Sequence, residues 1–502
     1  MSQPAHTLKL QPAGQQCEVA ADTPLQDVLF AQGVEFPCGG RGRCKGCRVK
    51  MLAGNLSVSD EEKKLLTLAE LAAGWRLACR HKMTGDLELE LAQWEMPVLG
   101  DQSAFAFTPR AGLGVAIDLG STTIAAQLVD LANGNVLAVS TALNAQARLG
   151  GDLMSRIDHA QRGGEAELCA LIREQLGGLV KELVASAQST APVTRVVIVG
   201  NSVMHHLFCG LSVTPFAAHP FEPARPERIG FTPSQLGWAL PESAVIEFLP
   251  CLGGFVGSDI LAGIMATGLH ESRELVALLD LGTNGEVVVG NCDRILCCST
   301  AAGPAFEGAR ISMGMRAATG AVSAVEVRDG KPDCRIVGGG EPRGLCGSGL
   351  VDAVAAGLEL NWIQPGGRMT LLPAMPLAGT VVLTPTDVRE FQLAKGAIAA
   401  GLRILANRFG VAVEQIHTLH LAGAFGNYIS RASARRVGLL RLPLSRIVPA
   451  GNAALHGAKR ALFEDPALWD ALARHVEHIS LNEDPGFHDS YVEEMRFPTD
   501  AF

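Results

Sequence analysis

Four cysteines near the N-terminus have a spacing that suits cluster ligation. Cys38, Cys44, Cys47 and Cys79 follow the pattern C-x5-C-x2-C-x31-C, with three on one short loop and the fourth distant. This arrangement is typical of thiolate ligation of a 2Fe-2S cluster, and the glycines of the loop let it wrap closely around such a group. A structural zinc site is the alternative, although zinc more often uses two C-x2-C pairs. We therefore predict a 2Fe-2S cluster.

A second chemical pattern occurs twice, 162 residues apart. Segment 118–123 reads DLGSTT and segment 280–285 reads DLGTNG, each at the end of an apolar run. Backbone N–H groups of such tight turns can bind phosphate, and an aspartate can hold Mg²⁺, usually through water. The duplication predicts two lobes with a cleft between them. Neither GxxxxGK[ST] nor GxGxxG occurs, so the sequence does not support binding of NAD or flavin.

Two weaker signals accompany the repeat. Segment 421–428 (LAGAFGNY) follows another buried strand. It could close over an adenine ring, or it could be an ordinary βα turn. Asp259 stands at a predicted helix start, where the helix dipole favours a carboxylate. The alternative interpretation is a base that orients water during ATP hydrolysis.

Residues 1–95 are predicted to form a small β-rich unit. Ser59 and Glu62 form a capping box that begins a helix, and Gly74 is placed to end it. The apolar stripe of that helix is Leu65, Leu66, Leu68 and Leu71. The predicted strands are His6–Leu10, Gln16–Val19 and Leu87–Leu91.

Residues 96–111 have no clear period and are predicted to be a loosely packed linker. From residue 112 the pattern changes to alternating short strands and long helices, which favours layered α/β lobes at 112–274 and 275–502. Asn133-Gly134 predicts a hairpin, and His205 and His206 are predicted to be helix residues rather than ligands. The predicted strands are Val115–Leu119, Val196–Val199, Leu275–Leu281 and Thr418–Leu421, and the helices are Glu165–Ala187, Ser258–Leu269 and Thr386–Phe409.

The composition excludes several classes of protein. Of 502 residues, 48% are apolar and 19% are charged, which excludes a disordered chain. A net charge of −9 argues against a general nucleic-acid binder. No apolar run approaches the ~20 residues of a membrane span, and the N-terminus lacks the apolar core of a signal peptide. Nine further cysteines are scattered, as in a reducing compartment. We expect a soluble cytoplasmic protein.

Together these motifs resemble one family, the reductive activators of corrinoid proteins. Its members fuse a 2Fe-2S ferredoxin to an ATPase domain of the acetate kinase, sugar kinase and actin superfamily. The resemblance extends over almost the whole chain, and its motifs occur in one order. They are residues 38–49, 116–125, 199–211, 250–264, 280–290, 299–311, 344–354, 421–429 and 478–498.

The resemblance implies a fold and a function. The fold is α/β, with an N-terminal β-grasp-like 2Fe-2S ferredoxin domain and a duplicated, two-lobed actin-like ATPase core. The function is ATP-dependent transfer of an electron from the cluster to a corrinoid protein of a methyltransferase system, which converts Co(II) to Co(I). An unidentified electron donor would refill the cluster, and a homodimer is expected. Mg²⁺–nucleotide would lie at Asp118 and Asp280, and Asp259 is a candidate base. Adenosine would lie near Gly423 and Gly426. The residues that would contact the phosphates are Gly120, Ser121, Thr122, Gly282, Thr283 and Asn284.

Other functions remain open at this level. A metabolite kinase shares the ATPase fold but has no need of an electron. An ATP-binding module that senses redox state without turnover would use the same motifs. An activator of another low-potential metalloenzyme is the third alternative. Activators of that kind, however, hold a 4Fe-4S cluster on the ATPase fold itself and not on a separate 2Fe-2S domain.

Overall fold

A computed structural model describes most of the chain. The described residues are 5–11, 15–31, 34, 42, 47–91, 105–187, 189–282, 284–318, 320–370, 373–426 and 429–499. Three predicted site residues, Cys38, Cys44 and Thr283, lie outside them.

The N-terminal domain is a five-stranded mixed sheet with short helices. Strand order is β2-β1-β5-β3-β4, with β1 parallel to β5 and the other neighbours antiparallel. On β5 the three leucines are buried and the two glutamates between them are half-buried, as a strand with one core face requires. The three predicted strands are confirmed. The elements are β1 (Ala5–Gln11), β2 (Gln15–Ala20), α1 (Leu25–Ala31), β3 (Arg48–Ala53), α2 (Asp60–Leu65), α3 (Leu68–Ala72), β4 (Trp75–Leu77) and β5 (Leu87–Leu91).

The single helix predicted after Ser59 is two helices. The Ser59–Glu62 capping box is present, but Leu66 has extended backbone and ends α2. Thr67 and Glu70 then form a second capping box that begins α3. The predicted apolar stripe is therefore broken, and Leu68 is 87% exposed. Gly74 has φ +89° after α3, so the prediction of a left-handed glycine at the end of this region is confirmed.

Two six-stranded sheets follow, and five strands of each have the same order and directions, while the sixth is added at opposite edges. Their strand orders are β10-β11-β9-β6-β7-β8 and β21-β20-β12-β13-β14-β22. Each contains an antiparallel meander whose first strand pairs in parallel with a later strand. The duplicated lobes predicted from the repeat are confirmed, as is the hairpin at Asn133-Gly134. The strands are β6 (Leu113–Leu119), β7 (Thr123–Asp130), β8 (Val136–Leu143), β9 (Val193–Val199), β10 (Ile229–Phe231), β11 (Val245–Phe248), β12 (Val276–Leu281), β13 (Gly285–Gly290), β14 (Ile295–Thr300), β20 (Thr418–Ala422), β21 (Ile447–Gly451) and β22 (Val476–His478).

Helices cover both sheets, and smaller strands extend the second lobe. The long helices form where predicted, because their apolar residues recur at helical spacing; in α5 the buried positions are 168, 172, 176, 179, 180 and 183. The added strands are β15 (Ala321–Arg328), β16 (Lys331–Ile336), β17 (Gly344–Leu345), β18 (Met375–Ala378) and β19 (Val381–Leu383). The helices are α4 (Leu153–His159), α5 (Glu165–Ser186), α6 (Ser202–Cys209), α7 (Pro233–Leu236), α8 (Ser258–Thr267), α9 (Gly347–Glu359), α10 (Pro385–Arg408), α11 (Gly423–Gly426), α12 (Arg431–Arg436), α13 (Ala453–Ala461), α14 (Pro466–His475) and α15 (Phe487–Glu494).

Helices α8 and α13 pack together where the two lobes meet. A Cβ at Gly457 would lie 2.2 Å from the carbonyl oxygen of Ala262, so only glycine allows this approach. Apolar residues from both sheets and both helices share one buried core here, including Val197, Ile260 and Leu278. The junction is therefore a continuous packed interface rather than a loose hinge.

The described end of the predicted linker is not loosely packed. The ring of Phe107 lies 4.4 Å from that of Phe463, and the ring of Phe105 lies 5.5 Å from it, measured between centroids. The prediction of loose packing is therefore wrong for Phe105 and Phe107, because these half-buried aromatic side chains pack against the buried core that the two lobes share.

The N-terminal domain contacts both lobes. Its buried core includes Leu143, the last residue of β8 in the first lobe, and Ala145 and Ala147, which follow that strand. From the second lobe, Arg343 forms an ion pair with Glu90 on β5.

Within the described ranges, we find no helix that combines the length and apolar character needed to traverse a bilayer.

Candidate functional site

The first glycine loop joins β6 to β7 at the carboxyl edge of the first sheet. Asp118 is at the end of β6, and Gly120, Ser121 and Thr122 form the turn. A Cβ at Gly120 would lie 2.4 Å from the carbonyl oxygen of Thr123, so the turn requires glycine. Ligands of open α/β sheets bind at this edge, which is where the sequence placed the phosphates.

The second glycine loop joins β12 to β13 in the same way, with one difference. Asp280 pairs directly with Glu286 across the two strands, whereas Asp118 pairs with Ala125. The difference arises because four residues separate the last paired positions of the first hairpin and three separate those of the second. Side chains of directly paired residues lie on the same face, so Glu286 stands beside Asp280. Gly282 is exposed, and its N–H donates to the carbonyl of Asn284 at 3.0 Å.

Four acidic side chains where the lobes join are coupled electrostatically, and we call Asp118, Asp259, Asp280 and Glu286 the carboxylate cluster. Burial alone raises the pKa of Asp280 to about 6. Burial also raises the pKa of Asp118, to about 7. A hydrogen bond from Asn452 opposes this rise, and the charge of Asp280 adds to it. Burial, reinforced by Asp118 and Asp280, raises the pKa of Asp259 to about 8. Burial and the charges of Asp259 and Asp280 also raise the pKa of Glu286.

This arrangement favours a bound cation. Like charges held together in a partly buried site bind protons or a metal ion more strongly than isolated carboxylates do. Among the described residues, no group of three or more His, Cys, Asp or Glu side chains is compact enough to form a metal centre alone. Mg²⁺ typically takes one or two carboxylates and completes its shell with phosphate oxygens and water, which suits this site.

The raised pKa values predict a pH dependence. Between the unfolded value near 4 and the folded values of about 6 to 8, the folded protein binds more protons than the unfolded chain. Stability must then fall as pH rises through this window, while Mg²⁺–nucleotide affinity rises. Thermal unfolding without Mg²⁺ between pH 5 and 8 measures the first effect. Asp259→Asn should flatten the profile, and a wild-type profile that matches this variant would contradict the prediction.

Asp259 occupies the second position of α8. Its Oδ1 accepts the backbone N–H of Ile260 at 2.9 Å, as in a helix N-terminal carboxylate. Its electrostatic coupling to Asp118 and Asp280 also places it in the carboxylate cluster. The structure thus confirms that Asp259 stands at a helix start, and a catalytic role for Asp259 stays a prediction.

The third glycine segment lies behind the second aspartate. Gly423 has φ +85°, and a Cβ there would lie 2.5 Å from Oδ1 of Asp280 and from the carbonyl oxygen of Leu281. Gly426 is buried at the end of α11, where a Cβ would lie 3.2 Å from Cγ of Leu421. The structure brings Gly423 to the carboxylate cluster and leaves the predicted adenosine contact of Gly426 as a prediction.

Gly423→Ala should impair the site by displacing Asp280. The substitution adds left-handed strain of about 1–2 kcal/mol and a contact too short for any Cβ. We expect nucleotide affinity, measured by calorimetry, to fall at least tenfold. Gly410→Ala is a matched control, because Gly410 has φ +71° and open space around it, so only the strain is added. Equal nucleotide affinities in the two variants would contradict the proposed crowding of Asp280.

Two of the four predicted cluster ligands are described, and they are adjacent. The Sγ atoms of Cys47 and Cys79 lie 3.4 Å apart, close enough to bind one metal centre. The N–H of Ala78 donates to the carbonyl of Cys47 at 3.1 Å, which ties the two segments together. Gly42 has φ +65°, a left-handed conformation that glycine adopts without strain. These features fit a 2Fe-2S cluster.

Comparison with known proteins identifies the family. Three family models match: a 2Fe-2S iron-sulfur cluster binding domain at residues 8–84, the RACo middle region at 113–272, and the C-terminal, ASKHA domain of RACo at 274–502. A relative from Eubacterium limosum, named corrinoid activation enzyme RamQ, is 35% identical over 96% of this chain and 98% of its own length. The chain belongs to the RACo family.

Two further similarities agree with the RACo family. A Methanosarcina barkeri protein, named a Co(II) methylated amine-specific corrinoid protein reductase, is 26% identical over 77% of each chain. The solved structure of a reductive activator for corrinoid, iron-sulfur protein matches 99% of each chain with a TM-score of 0.67 and 25% identity. The predicted fold, a 2Fe-2S domain followed by an actin-type ATPase core, is confirmed.

The sequence assigned no specific role to two residues that build this RACo-family site, Asn452 and Glu286. Nδ2 of Asn452, the N-cap of α13, donates to Oδ2 of Asp118 at 3.1 Å, and this long-range contact has no local signal. Glu286 does have one, since it is the single charge in the strand GEVVVG. His205 and His206 lie on the helix α6 as predicted, and both are fully buried.

Proposed function

We propose that this protein is an ATP-hydrolysing reductive activator that transfers an electron from a 2Fe-2S cluster to a corrinoid protein. The observation that carries the proposal is the union of two sites in one chain. A cysteine pair at 3.4 Å stands in a domain that packs against both lobes, and the carboxylate cluster stands where those lobes meet. The names of the two relatives supply the acceptor, a corrinoid protein with cobalt in the Co(II) state.

The electron-transfer half of the proposal rests on the cysteine loop. Cys38, Cys44, Cys47 and Cys79 would hold the cluster. When bound, the cluster would supply one electron per turnover, which reduces Co(II) on the partner to Co(I), and an external donor would replace it. Cys47 is buried and Cys79 is half-buried, so the described thiolates are sheltered from water while remaining close to the surface.

The nucleotide half of the proposal rests on the two glycine loops. N–H groups of residues 120–122, 283 and 284 would bind the phosphates, and the N–H of Gly282 would join them by exchanging the carbonyl of Asn284 for a phosphate oxygen. Asp118 and Asp280 would hold Mg²⁺ directly or through water. Asp259 or Glu286, each with a raised pKa, could orient the water that attacks the terminal phosphate. ATP and water would then give ADP and phosphate.

Coupling between the nucleotide site and the cluster can offset only a limited difference in reduction potential. Conformational coupling between two sites typically supplies about 1–3 kcal/mol. Since 59 mV of one-electron gap corresponds to about 1.4 kcal/mol, coupling of this size would offset a gap of about 40–130 mV. A larger gap would require the partner's cobalt environment to change as well.

The test is formation of Co(I) on a Co(II) corrinoid protein mixed with the reduced holoprotein. With Mg²⁺–ATP the Co(I) absorption band should appear, and without nucleotide the cluster should stay reduced while the band is absent. Equal Co(I) formation without nucleotide would refute ATP-dependent activation. ATP binding without turnover or Co(I) would instead favour a redox-sensing module.

A further inference from the structure

The carbonyl groups of the first glycine loop are held from behind by buried side chains. Nδ2 of Asn144 donates to the carbonyl of Gly120 at 2.9 Å, and Nη2 of Arg156 donates to that of Ser121 at 2.5 Å. The backbone N–H of Asn144 donates to the carbonyl of Thr122 at 2.8 Å. Every carbonyl of the turn therefore has a donor, and Asn144 and Arg156 are both 0% exposed.

Asn144 belongs to a short segment whose alternate residues contact the N-terminal domain and the first lobe. We call residues 143–148 the bridging segment. Leu143, Ala145 and Ala147 pack into the buried core of the N-terminal domain, whereas Asn144 and Gln146 face the first lobe. The segment thus contacts the predicted phosphate loop on one side and the domain that carries the cysteines on the other.

The bridging segment is itself firmly held. Gln175 on α5 accepts the N–H of Ala145 at 2.8 Å and donates to the carbonyl of Leu143 at 2.6 Å. Nη1 of Arg156 lies 3.4 Å from Oε1 of Gln146, and Nε donates to the carbonyl of Gly150 at 2.9 Å. A continuous, buried polar network therefore joins the loop to the segment.

We propose that the bridging segment couples nucleotide binding at loop 120–122 to the docking of the 2Fe-2S domain, with Asn144 and Arg156 as positioning residues. This inference rests on the proposed function, since it assumes that the loop binds phosphate. Phosphate oxygens would draw the N–H groups of the turn forward, and the carbonyls on the opposite side would pull on Asn144 and Arg156. The movement would change the contact of Ala145 and Ala147 with the domain core.

Reciprocity makes the proposal testable without cluster chemistry. If nucleotide changes the docking equilibrium by some factor, docking must change nucleotide affinity by the same factor. Two measurements are needed on the full-length holoprotein: hydrogen–deuterium exchange of residues 47–91 with and without a non-hydrolysable ATP analogue, and the Kd of that analogue by calorimetry.

Arg156→Lys is the first variant, because it keeps the charge but shortens the reach to Ser121. We expect the analogue still to alter exchange in the first glycine loop, while its effect on residues 47–91 falls at least threefold. Arg173→Lys is the matched control: Nε of Arg173 donates to the carbonyl of Phe208 at 2.7 Å in the same lobe, away from the loop. It should keep the full response.

Ala147→Glu is the second variant and acts from the opposite side. It should raise exchange of residues 47–91 by loosening the docked domain and should shift the Kd of the analogue, although residue 147 does not belong to the loop. An unchanged Kd with a loosened domain would overturn the proposal. So would a wild-type protein that binds the analogue with no change in residues 47–91, or a full response in Arg156→Lys. A wild-type protein that binds no analogue would refute the proposed function itself.

Discussion

Asp280→Asn is expected to lower ATP turnover at least a hundredfold and to leave the absorption spectrum of the 2Fe-2S cluster unchanged. The substitution removes one charge from a site where four carboxylates are coupled electrostatically, so the remaining side chains lose a partner in holding Mg²⁺. Asp280 would hold the Mg²⁺ that stabilises charge on the transferring phosphoryl group, and loss of one electrostatic contribution of this kind typically costs about 10²–10³ in rate. A phosphate-release assay at saturating Mg²⁺–ATP measures the effect.

Two variants sharpen this prediction. Asp118→Asn tests the pseudo-equivalent position and should be comparably damaging if both loops bind the nucleotide. Asp293→Asn is a control in the same lobe, because Asp293 is an exposed turn residue after β13. Retained turnover in Asp280→Asn would show that the second copy of the repeat has only a structural role.

Cys47→Ser should remove most of the iron and labile sulfide and abolish Co(I) formation, while nucleotide binding persists. Serine is a poor replacement for a thiolate ligand, and Cys47 lies 3.4 Å from Cys79, so loss of one sulfur disrupts the shared centre. Iron and sulfide analysis with visible spectroscopy measures the loss, and calorimetry with the ATP analogue measures what remains.

Cys17→Ser is the control for this substitution. Cys17 lies in the same domain on β2, and it is distant in sequence from the cysteine loop. Its Sγ is 3.7 Å from the carbonyl oxygen of Leu8. It should keep the full iron content. An intact spectrum in Cys47→Ser, or zinc in place of iron in the wild type, would contradict the assignment of the cysteines.

Much of the fold could be predicted because its signals are local. The repeated DLG loops, each between an apolar strand and a second strand, predicted two matching lobes, and the spacing of apolar residues located α5 and α10 to within a residue or two. The prediction of a single helix after Ser59 is wrong, and the reason is also local. Thr67 and Glu70 form a second capping box that begins a new helix, although the leucine stripe favours one continuous helix.

The rest of the site depends on contacts between distant residues. Asn452 reaches Asp118 across 334 positions, and Arg156 reaches the loop from a helix with no motif of its own. Such contacts follow from the packing of the lobes, which no spacing rule encodes. Glu286 is intermediate, since a lone charge in an apolar strand is visible in the sequence, but its position beside Asp280 needs the pairing register. The catalytic roles of these carboxylates remain predictions.

The one-residue difference between the two hairpins has a consequence for orientation. A duplicated fold with identical loops would present a polyphosphate with two equivalent faces, related by a pseudo-twofold axis, and half of the bound nucleotides could face the wrong way. Here Asp280 has a carboxylate directly opposite it and Asp118 has the methyl group of Ala125. The negative potential is therefore unequal on the two sides. Under the proposed function, the end of a polyphosphate that carries Mg²⁺ and the end that does not would then not be interchangeable. Shortening a single turn thus gives a symmetric architecture a direction.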